Sequence, residues 1–382
     1  MDWKVPLADL DYGTEEEQAV LAVLRSKWLT MGAVTQQFEE RFRELTGTRY
    51  ALAVSNATQA LHLACLALGI GAGDEVIVPS LSFVATANAV LYTGAQVRFA
   101  DILDPLEPTL NPAEIERLAT PRTKAVIVMH YGGYPCRMHE ILAACQPRGL
   151  RVIEDAAHSP GAALAGKPLG AWGDIGCFSF FSNKNLSTGE GGMLTTSDPA
   201  LYEKMKLQRS HGMTTLTYDR HHGHAFSYDV VDLGYNDRID EMRAALGLCQ
   251  LAKLAANNAR RWQLTTRYWD SLPAGYAARV LEAPFAHLRV QVETGALLPA
   301  CHLLPILLPE GANREEFMTG LRERGVQSSI HYPPIHRFTY HRARCGEVHM
   351  PKTEAYAARE VTLPLYPTMG EESVDWVLAS LM

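Results

Sequence analysis

Short apolar runs alternate with amphipathic segments through the first 250 residues of this 382-residue chain. Six runs predict β-strands, over 50–54, 74–80, 96–100, 124–130, 151–156 and 177–181. Their near-continuous apolar character is typical of strands that are covered on both faces. Helix-start signals lie between them, such as the capping-box spacing of Thr14 and Glu17. The alternation predicts an α/β fold with a mostly parallel, doubly wound sheet.

The pattern changes after residue 240. A long helix with a mixed polar face is predicted over 240–272, followed by a strand over 301–309, a helix over 313–325 and another strand over 326–332. We interpret this region as a smaller α+β domain. The expected division is a large domain over 1–259 and a small C-terminal domain over 260–382.

Charge and composition narrow the class of protein. The net charge is −7, and Lys and Arg are scattered along the chain, so no nucleic-acid polymer is expected as a partner. No apolar window is long enough to suggest a membrane span, and the N-terminus has no apolar signal-peptide region. The seven dispersed cysteines never form a C-x-x-C pair, which favours a reducing, cytoplasmic location.

A histidine-rich stretch raises the question of a metal. His221, His222 and His224 lie close together, but no cysteine or paired acidic ligand set accompanies them. A solvated loop is therefore favoured over a metal site, and no metal is expected.

One strand–turn–helix segment has the form of a phosphate site. In "VSNATQALHLACLAL" (54–68), small residues at a helix start expose N–H groups and the positive end of the helix dipole. Simple N-capping by Ser55 or Asn56 is the alternative interpretation.

Two further segments supply a carboxylate and an amine. Asp155, beside Glu154, ends an apolar strand, where open α/β sheets bind ligands. Lys184, in "FSFFSNKNLSTGEGG" (178–192), follows the next predicted strand. A lysine that forms a Schiff base and an aspartate that faces a pyridinium nitrogen together characterise pyridoxal phosphate (PLP) sites. Alone, each side chain could instead be a solvated turn lysine or a helix-start carboxylate. Phe83 could stack on a cofactor ring or pack in the core.

These segments resemble motifs of the DegT/DnrJ/StrS family, in the same order, together with "WLTMG" (28–32), "DLGYNDRIDEMRAALG" (232–247) and "IHYPPIH" (330–336). The resemblance runs from about residue 5 to the C-terminus. It implies a fold-type-I PLP-dependent transferase with a large, mostly parallel, seven-stranded α/β/α domain and a smaller α+β domain. It also implies a homodimer with shared active sites.

The resemblance assigns roles to individual positions. Lys184 matches the Schiff-base lysine and Asp155 the partner of the pyridine nitrogen. The other cofactor contacts it implies are Ala57, Thr58 and Ser179 at the phosphate, Phe83 and His158 at the ring, and Asn236 at the neighbouring subunit's phosphate. Some relatives have that asparagine two residues later, where this chain has Arg238. Thr30, Met31, His331 and Tyr332 are expected near the substrate.

The implied reaction transfers an amino group from L-glutamate to the keto group of a nucleotide-linked sugar. A cyclitol acceptor and PLP-dependent sugar dehydration are the alternatives. Lys184 favours transamination, because the dehydrating relatives have histidine at this position. A non-enzymatic regulator is disfavoured, because it would have no use for a Schiff-base lysine.

Overall fold

A computed structural model describes residues 3–214, 227–272 and 281–381. In this part of the chain the strands are β1 Tyr50–Val54, β2 Glu75–Pro79, β3 Gln96–Ala100, β4 Ile102–Asp104, β5 Glu107–Leu110, β6 Thr123–Met129, β7 Arg151–Asp155, β8 Ala163–Leu164, β9 Lys167–Pro168, β10 Ile175–Ser179, β11 Gly192–Thr196, β12 Leu297–Leu298, β13 Leu304–Leu307 and β14 Glu360–Leu363.

The α-helices of the same ranges are α1 Thr14–Ser26, α2 Ala33–Thr46, α3 Ala57–Ala67, α4 Ala85–Tyr92, α5 Ala113–Leu118, α6 Met138–Cys145, α7 Pro199–Gln208, α8 Glu241–Ser271, α9 Arg289–Glu293, α10 Arg314–Glu323, α11 Thr339–Cys345, α12 Pro351–Arg359 and α13 Glu371–Ser380.

The central sheet has seven strands in the order β1-β11-β10-β7-β6-β2-β3. The pairs β10–β7, β7–β6, β6–β2 and β2–β3 are parallel, and β11 is antiparallel to both of its neighbours. The six predicted strands all lie in this sheet, so the predicted mostly parallel α/β architecture is confirmed. The sequence pattern did not predict β11, the antiparallel strand.

Apolar side chains on both faces of the sheet explain its near-continuous hydrophobic strands. On one face, residues such as Val76 and Ile127 pack with α3 and α4. On the other face, their strand neighbours Ile77 and Val126 pack with α5 and α6. Side chains alternate between the two faces of a strand, so each strand has to be apolar throughout when helices cover both faces.

The C-terminal region packs around the antiparallel pair β13–β14, in an apolar core that it shares with Met129 and Tyr131 of the N-terminal part of the chain. Helix α8 runs without interruption through the predicted division between residues 259 and 260, and that division stays a prediction. The strand predicted over 326–332 is wrong. Val326 and Ser329 form only isolated bridges, to Val5 and Thr362. Pro333 and Pro334 follow directly and lack the N–H groups that would extend a ladder.

Within the described ranges, no helix has the length and apolar character required to span a bilayer.

Glu154 ties the sheet to the loop that follows β9. Its carboxylate accepts backbone N–H bonds from Gly170 at 2.8 Å and from Trp172 and Gly173 at 2.6 Å. His130 Nε2 lies 2.9 Å from the same carboxylate, and both side chains are fully buried. Glu154 is therefore a structural carboxylate.

We expect Glu154→Ala to lower the free energy of unfolding by about 3–5 kcal/mol, because it leaves buried donors without an acceptor. The matched control is Glu203→Ala, which removes an exposed carboxylate 3.9 Å from Lys206 and should change stability by less than about 0.5 kcal/mol. Denaturant titration of both variants measures the difference. Equal stability of the two variants would show that Glu154 does not hold this loop.

Candidate active site

A cavity of about 820 Å³ opens at the carboxyl ends of the central strands. It brings together most of the residues that the sequence singled out, which are Ala57, Thr58, Phe83, Asp155, His158, Ser179, Lys184, His331 and Tyr332. The carboxyl edge of an open parallel sheet is the usual place for a ligand in this architecture.

Lys184 enters the cavity from the turn between β10 and β11. Its backbone N–H bonds to the Phe181 carbonyl at 2.9 Å, which fixes the turn. Its Nζ lies 3.3 Å from Nε2 of His302. Burial lowers the pKa of Lys184 to about 8, although the charge of Asp155 opposes this shift. A neutral, nucleophilic amine is therefore accessible at moderate pH.

Asp155 ends β7 on the same cavity. Its Oδ2 accepts the Thr86 hydroxyl at 2.7 Å, and its Oδ1 accepts the Ala157 N–H at 3.2 Å. Burial raises the pKa of Asp155, and these two bonds and the charge of Lys184 lower it only in part. Such a carboxylate suits a cationic partner in the cavity, because a positive charge would offset the cost of its burial.

The first turn of α3 forms the third side of the cavity. Asn56 caps the helix by accepting the Gln59 N–H at 2.9 Å, so the capping interpretation is confirmed for this residue. The first N–H groups of a helix have no intrahelical partner and suit a phosphate, so capping and anion binding are compatible. Gly192 lets β11 approach this turn, because a Cβ there would lie 2.6 Å from the Asn56 carbonyl carbon.

His158 and Tyr332 contribute two uncharged hydrogen-bonding groups to the wall of the cavity. The Gly132 N–H donates to Nδ1 of His158 at 3.2 Å, so Nε2 carries the proton of this ring and donates to the Tyr332 hydroxyl at 3.0 Å. Burial lowers the pKa of His158 well below its usual value, which keeps the ring neutral. The Tyr332 hydroxyl is thus left to donate its own proton.

His331 is held at the mouth of the cavity. Its backbone N–H donates to Glu360 at 2.8 Å, and its Nδ1 lies 2.8 Å from the Thr362 hydroxyl. Burial, with the charge of Lys184, lowers the pKa of His331 to about 4. Phe83 also lies at the mouth. Its ring is 55% exposed, so it is not a core residue, and its centroid lies 6.0 Å from that of Tyr332.

Three predicted residues lie outside this cavity. Asn236 forms a bridge with Ser210, while its neighbour Tyr235 lines the cavity. Thr30 forms a bridge with Asp240, and Met31 lines a separate cavity of about 420 Å³. Their roles stay predictions. His221, His222 and His224 lie outside the described residues. Within the described ranges, no group of three His, Cys, Asp or Glu side chains could hold a metal.

His302 is a residue of the site that no sequence motif indicates. It lies in the apolar run 301–309, which predicted only a strand, and it reaches Lys184 across 118 positions of the chain. Asn185, directly after Lys184, is a second such residue, and its Oδ1 lies 2.9 Å from Nδ1 of His302. No local pattern encodes such long-range contacts.

An amine and a carboxylate that share a cavity at the strand ends of this sheet fit the fold-type-I PLP-dependent aminotransferases. The sequence matches the DegT/DnrJ/EryC1/StrS aminotransferase family over residues 11–382. The chain therefore belongs to this family, and it is a PLP-dependent aminotransferase.

Known proteins resemble the chain over nearly its whole length. The spore coat polysaccharide biosynthesis protein SpsC of Bacillus subtilis is 39% identical over 97% of this chain and 94% of its own. Helicobacter pylori PseC, an aminotransferase involved in pseudoaminic acid biosynthesis, superposes with a TM-score of 0.89 at 29% identity, covering 100% of this chain and 98% of its own. A Streptococcus pneumoniae protein solved in its PLP form has a TM-score of 0.87 at 26% identity, covering 100% and 98%.

The lowered pKa of Lys184 predicts how the protein freed of cofactor captures PLP. Only the neutral amine attacks an aldehyde, so the rate should rise with pH to a plateau above about pH 8. Below the midpoint of this pH dependence, which equals the pKa of Lys184, the rate of capture should fall about tenfold per pH unit. Stopped-flow absorbance measures the rate, and Lys184→Ala is the control for capture by other lysines. A midpoint near the ordinary lysine value of about 10.4 would contradict the assignment.

Proposed function

We propose that this aminotransferase moves the amino group of L-glutamate to the keto group of a nucleotide-linked sugar, giving an amino sugar and 2-oxoglutarate. One observation carries the proposal: the Lys184 amine and the Asp155 carboxylate line the same cavity as the N-terminal turn of α3. The kinship with SpsC and PseC favours a sugar as the amino acceptor.

The side chains around the cavity fit PLP. Asp155 would hold the proton of the ring nitrogen, because a buried carboxylate with a raised pKa gains most from a cationic partner. The first N–H groups of α3, at Ala57 and Thr58, would hold the phosphate together with the Ser179 hydroxyl. Phe83 would cover one face of the ring, and His158 would lie at its edge.

When bound, PLP supplies an aldehyde that takes up the amino group and a ring that delocalises the electron pair left on carbon when a proton is removed. Lys184 Nζ is the base that removes this proton and the acid that returns it. A pKa of about 8 suits both tasks, because the amine can lose and regain a proton near neutral pH. His158 and His331 stay uncharged beside it and so do not compete for the proton.

The substrate needs contacts beyond the cofactor. His331 and the Tyr332 hydroxyl line the cavity and would orient the sugar. Phe83, Tyr92 and Phe181 line the cavity and are 55%, 57% and 44% exposed, which leaves an apolar rim for a second subunit to cover. We therefore propose a homodimer in which Asn236 reaches the partner's phosphate site, and in which Thr30 and Met31 approach the substrate.

Two alternatives use the same cofactor. A cyclitol ketone would need the same amine and carboxylate, so the acceptor has to be identified by experiment. Dehydration is disfavoured by Lys184, and a regulator without catalysis is inconsistent with the aminotransferase family. The domain division at residues 259 and 260 and the cytoplasmic location stay expectations from the sequence.

We expect Lys184→Ala to lose at least about 10²–10⁴-fold in turnover, since the base is removed. Lys184→Arg should lose a similar factor, because guanidinium stays protonated. Mass spectrometry of the product from L-glutamate and a panel of keto sugar nucleotides and cyclitol ketones measures the reaction. Turnover retained by Lys184→Ala would refute the proposal. Amination of a cyclitol ketone alone would show that the acceptor is a cyclitol and not a nucleotide-linked sugar.

Asp155→Asn should lower turnover by about 10²–10³-fold, because an amide cannot stabilise the ring-nitrogen proton electrostatically. Asp155→Glu retains the charge and is the matched variant, with a smaller expected loss. Steady-state kinetics with saturating PLP compare the two. Equal activity of Asp155→Asn and the unaltered enzyme would contradict the role given to this carboxylate.

A further inference from the structure

We propose that His302 is a positioning residue for Lys184, kept by Asn185 and Asn258 in the tautomer whose Nε2 accepts a hydrogen bond from the lysine amine. The inference rests on the proposed role of Lys184 as the reacting amine. It concerns a residue pair, His302 and Asn185, to which the sequence motifs assigned no function.

The backbone holds His302 in place. Its N–H donates to the Gly132 carbonyl at 2.8 Å, and the Ala300 N–H donates to the Gly133 carbonyl at 3.0 Å. This close approach requires glycine at 133, where φ is +88° and a Cβ would lie 3.0 Å from the Cys301 nitrogen. His302 is buried, with only 6% of the residue exposed.

A chain of side-chain amides determines which ring nitrogen carries the proton. The Asn258 amide NH₂ donates to the Pro160 carbonyl at 2.9 Å, so its Oδ1 faces Asn185. The Asn185 NH₂ then donates to Asn258 Oδ1 at 2.8 Å and to the Ala300 carbonyl at 2.7 Å. Both orientations are anchored by a backbone carbonyl, which can only accept.

The Asn185 amide oxygen is therefore the atom that faces His302, 2.9 Å from Nδ1. An amide oxygen cannot donate, so Nδ1 of His302 carries the proton. Nε2 then presents its lone pair to Lys184 Nζ, 3.3 Å away.

The surroundings keep the His302 ring uncharged. The ionisable groups that act on it are Lys184, His158, Arg261 and His331. Burial and these potentially cationic neighbours all lower the pKa of His302, well below its ordinary value. Protonation of Nε2 at working pH is therefore disfavoured, and the acceptor is retained.

The acceptor constrains Lys184 in two ways. It stabilises the ammonium form, because a hydrogen bond to a charged donor is stronger than one to a neutral donor. It also fixes the end of a four-carbon side chain, so the amine is oriented when it exchanges a proton with the substrate. Loss of the acceptor should lower the pKa of Lys184 and slow turnover.

The test compares His302→Leu, which has a similar volume and no acceptor, with His302→Gln, whose amide oxygen can replace Nε2. The first readout is the pH midpoint of PLP capture by the full-length protein freed of cofactor. We expect His302→Leu to move the midpoint about one unit below that of the unaltered protein. His302→Gln should bring the midpoint back most of the way to that of the unaltered protein. Asn185→Leu removes the oxygen that fixes the proton on Nδ1 of His302, so it should also lower the midpoint.

The second readout is steady-state kinetics of the holoenzyme. We expect His302→Leu to lower kcat at least tenfold with little change in KM, since orientation of the base is lost. His341→Leu is the matched control, because His341 is also buried but lies outside the cavity. It should leave both the midpoint and kcat unchanged.

A folded His302→Leu protein with an unaltered midpoint, or equal behaviour of the Leu and Gln variants, would overturn the inference. If His302→Leu does not fold, the midpoints of His302→Gln and Asn185→Leu test the inference in its place. If Lys184→Ala captures PLP as the unaltered protein does, the proposed role of Lys184 fails instead, so the two failures are distinguishable.

Discussion

Burial of one amine is the constraint around which the active site is built. The Lys184 ammonium loses hydration in its cavity, and the charge of Asp155 compensates only in part, so the pKa of Lys184 falls to about 8. The surrounding histidines are buried and bring no opposite charge, and the acceptor that His302 offers at 3.3 Å still leaves the pKa of Lys184 below the ordinary lysine value. The fold therefore provides a lysine that can be neutral near physiological pH, which ordinary surface lysines are not.

Two adjacent carboxylates on β7 have different roles, one in the scaffold and one in the active site. Successive side chains of a strand point to opposite faces, so Glu154 and Asp155 meet different surroundings. Glu154 is saturated by three backbone N–H groups and His130 and ties a loop to the sheet. Asp155 keeps a face toward the cavity. A carboxylate thus stabilises the scaffold at one position, and a carboxylate at the next position is available for a cofactor.

The sequence predicted what local patterns encode. Apolar runs gave the six strands of the sheet, and their ends gave Asp155 and Lys184, because parallel strands bring their carboxyl ends to one edge. It did not predict β11 or the His302 contact, since both depend on segments distant along the chain. The strand over 326–332 was wrong because Val326 and Ser329 bridge two different segments, at Val5 and Thr362, so they form no continuous ladder. Thr30 and Met31 lie away from the cavity of their own chain.

The most direct test of the central claim is chemical. Borohydride reduction of the PLP-loaded enzyme, followed by proteolysis and mass spectrometry, identifies the nitrogen joined to the cofactor. We expect the modified peptide to contain Lys184, and we expect the modification to disappear when an amino donor is added before reduction. A label on another lysine, or none on an active enzyme, would contradict it.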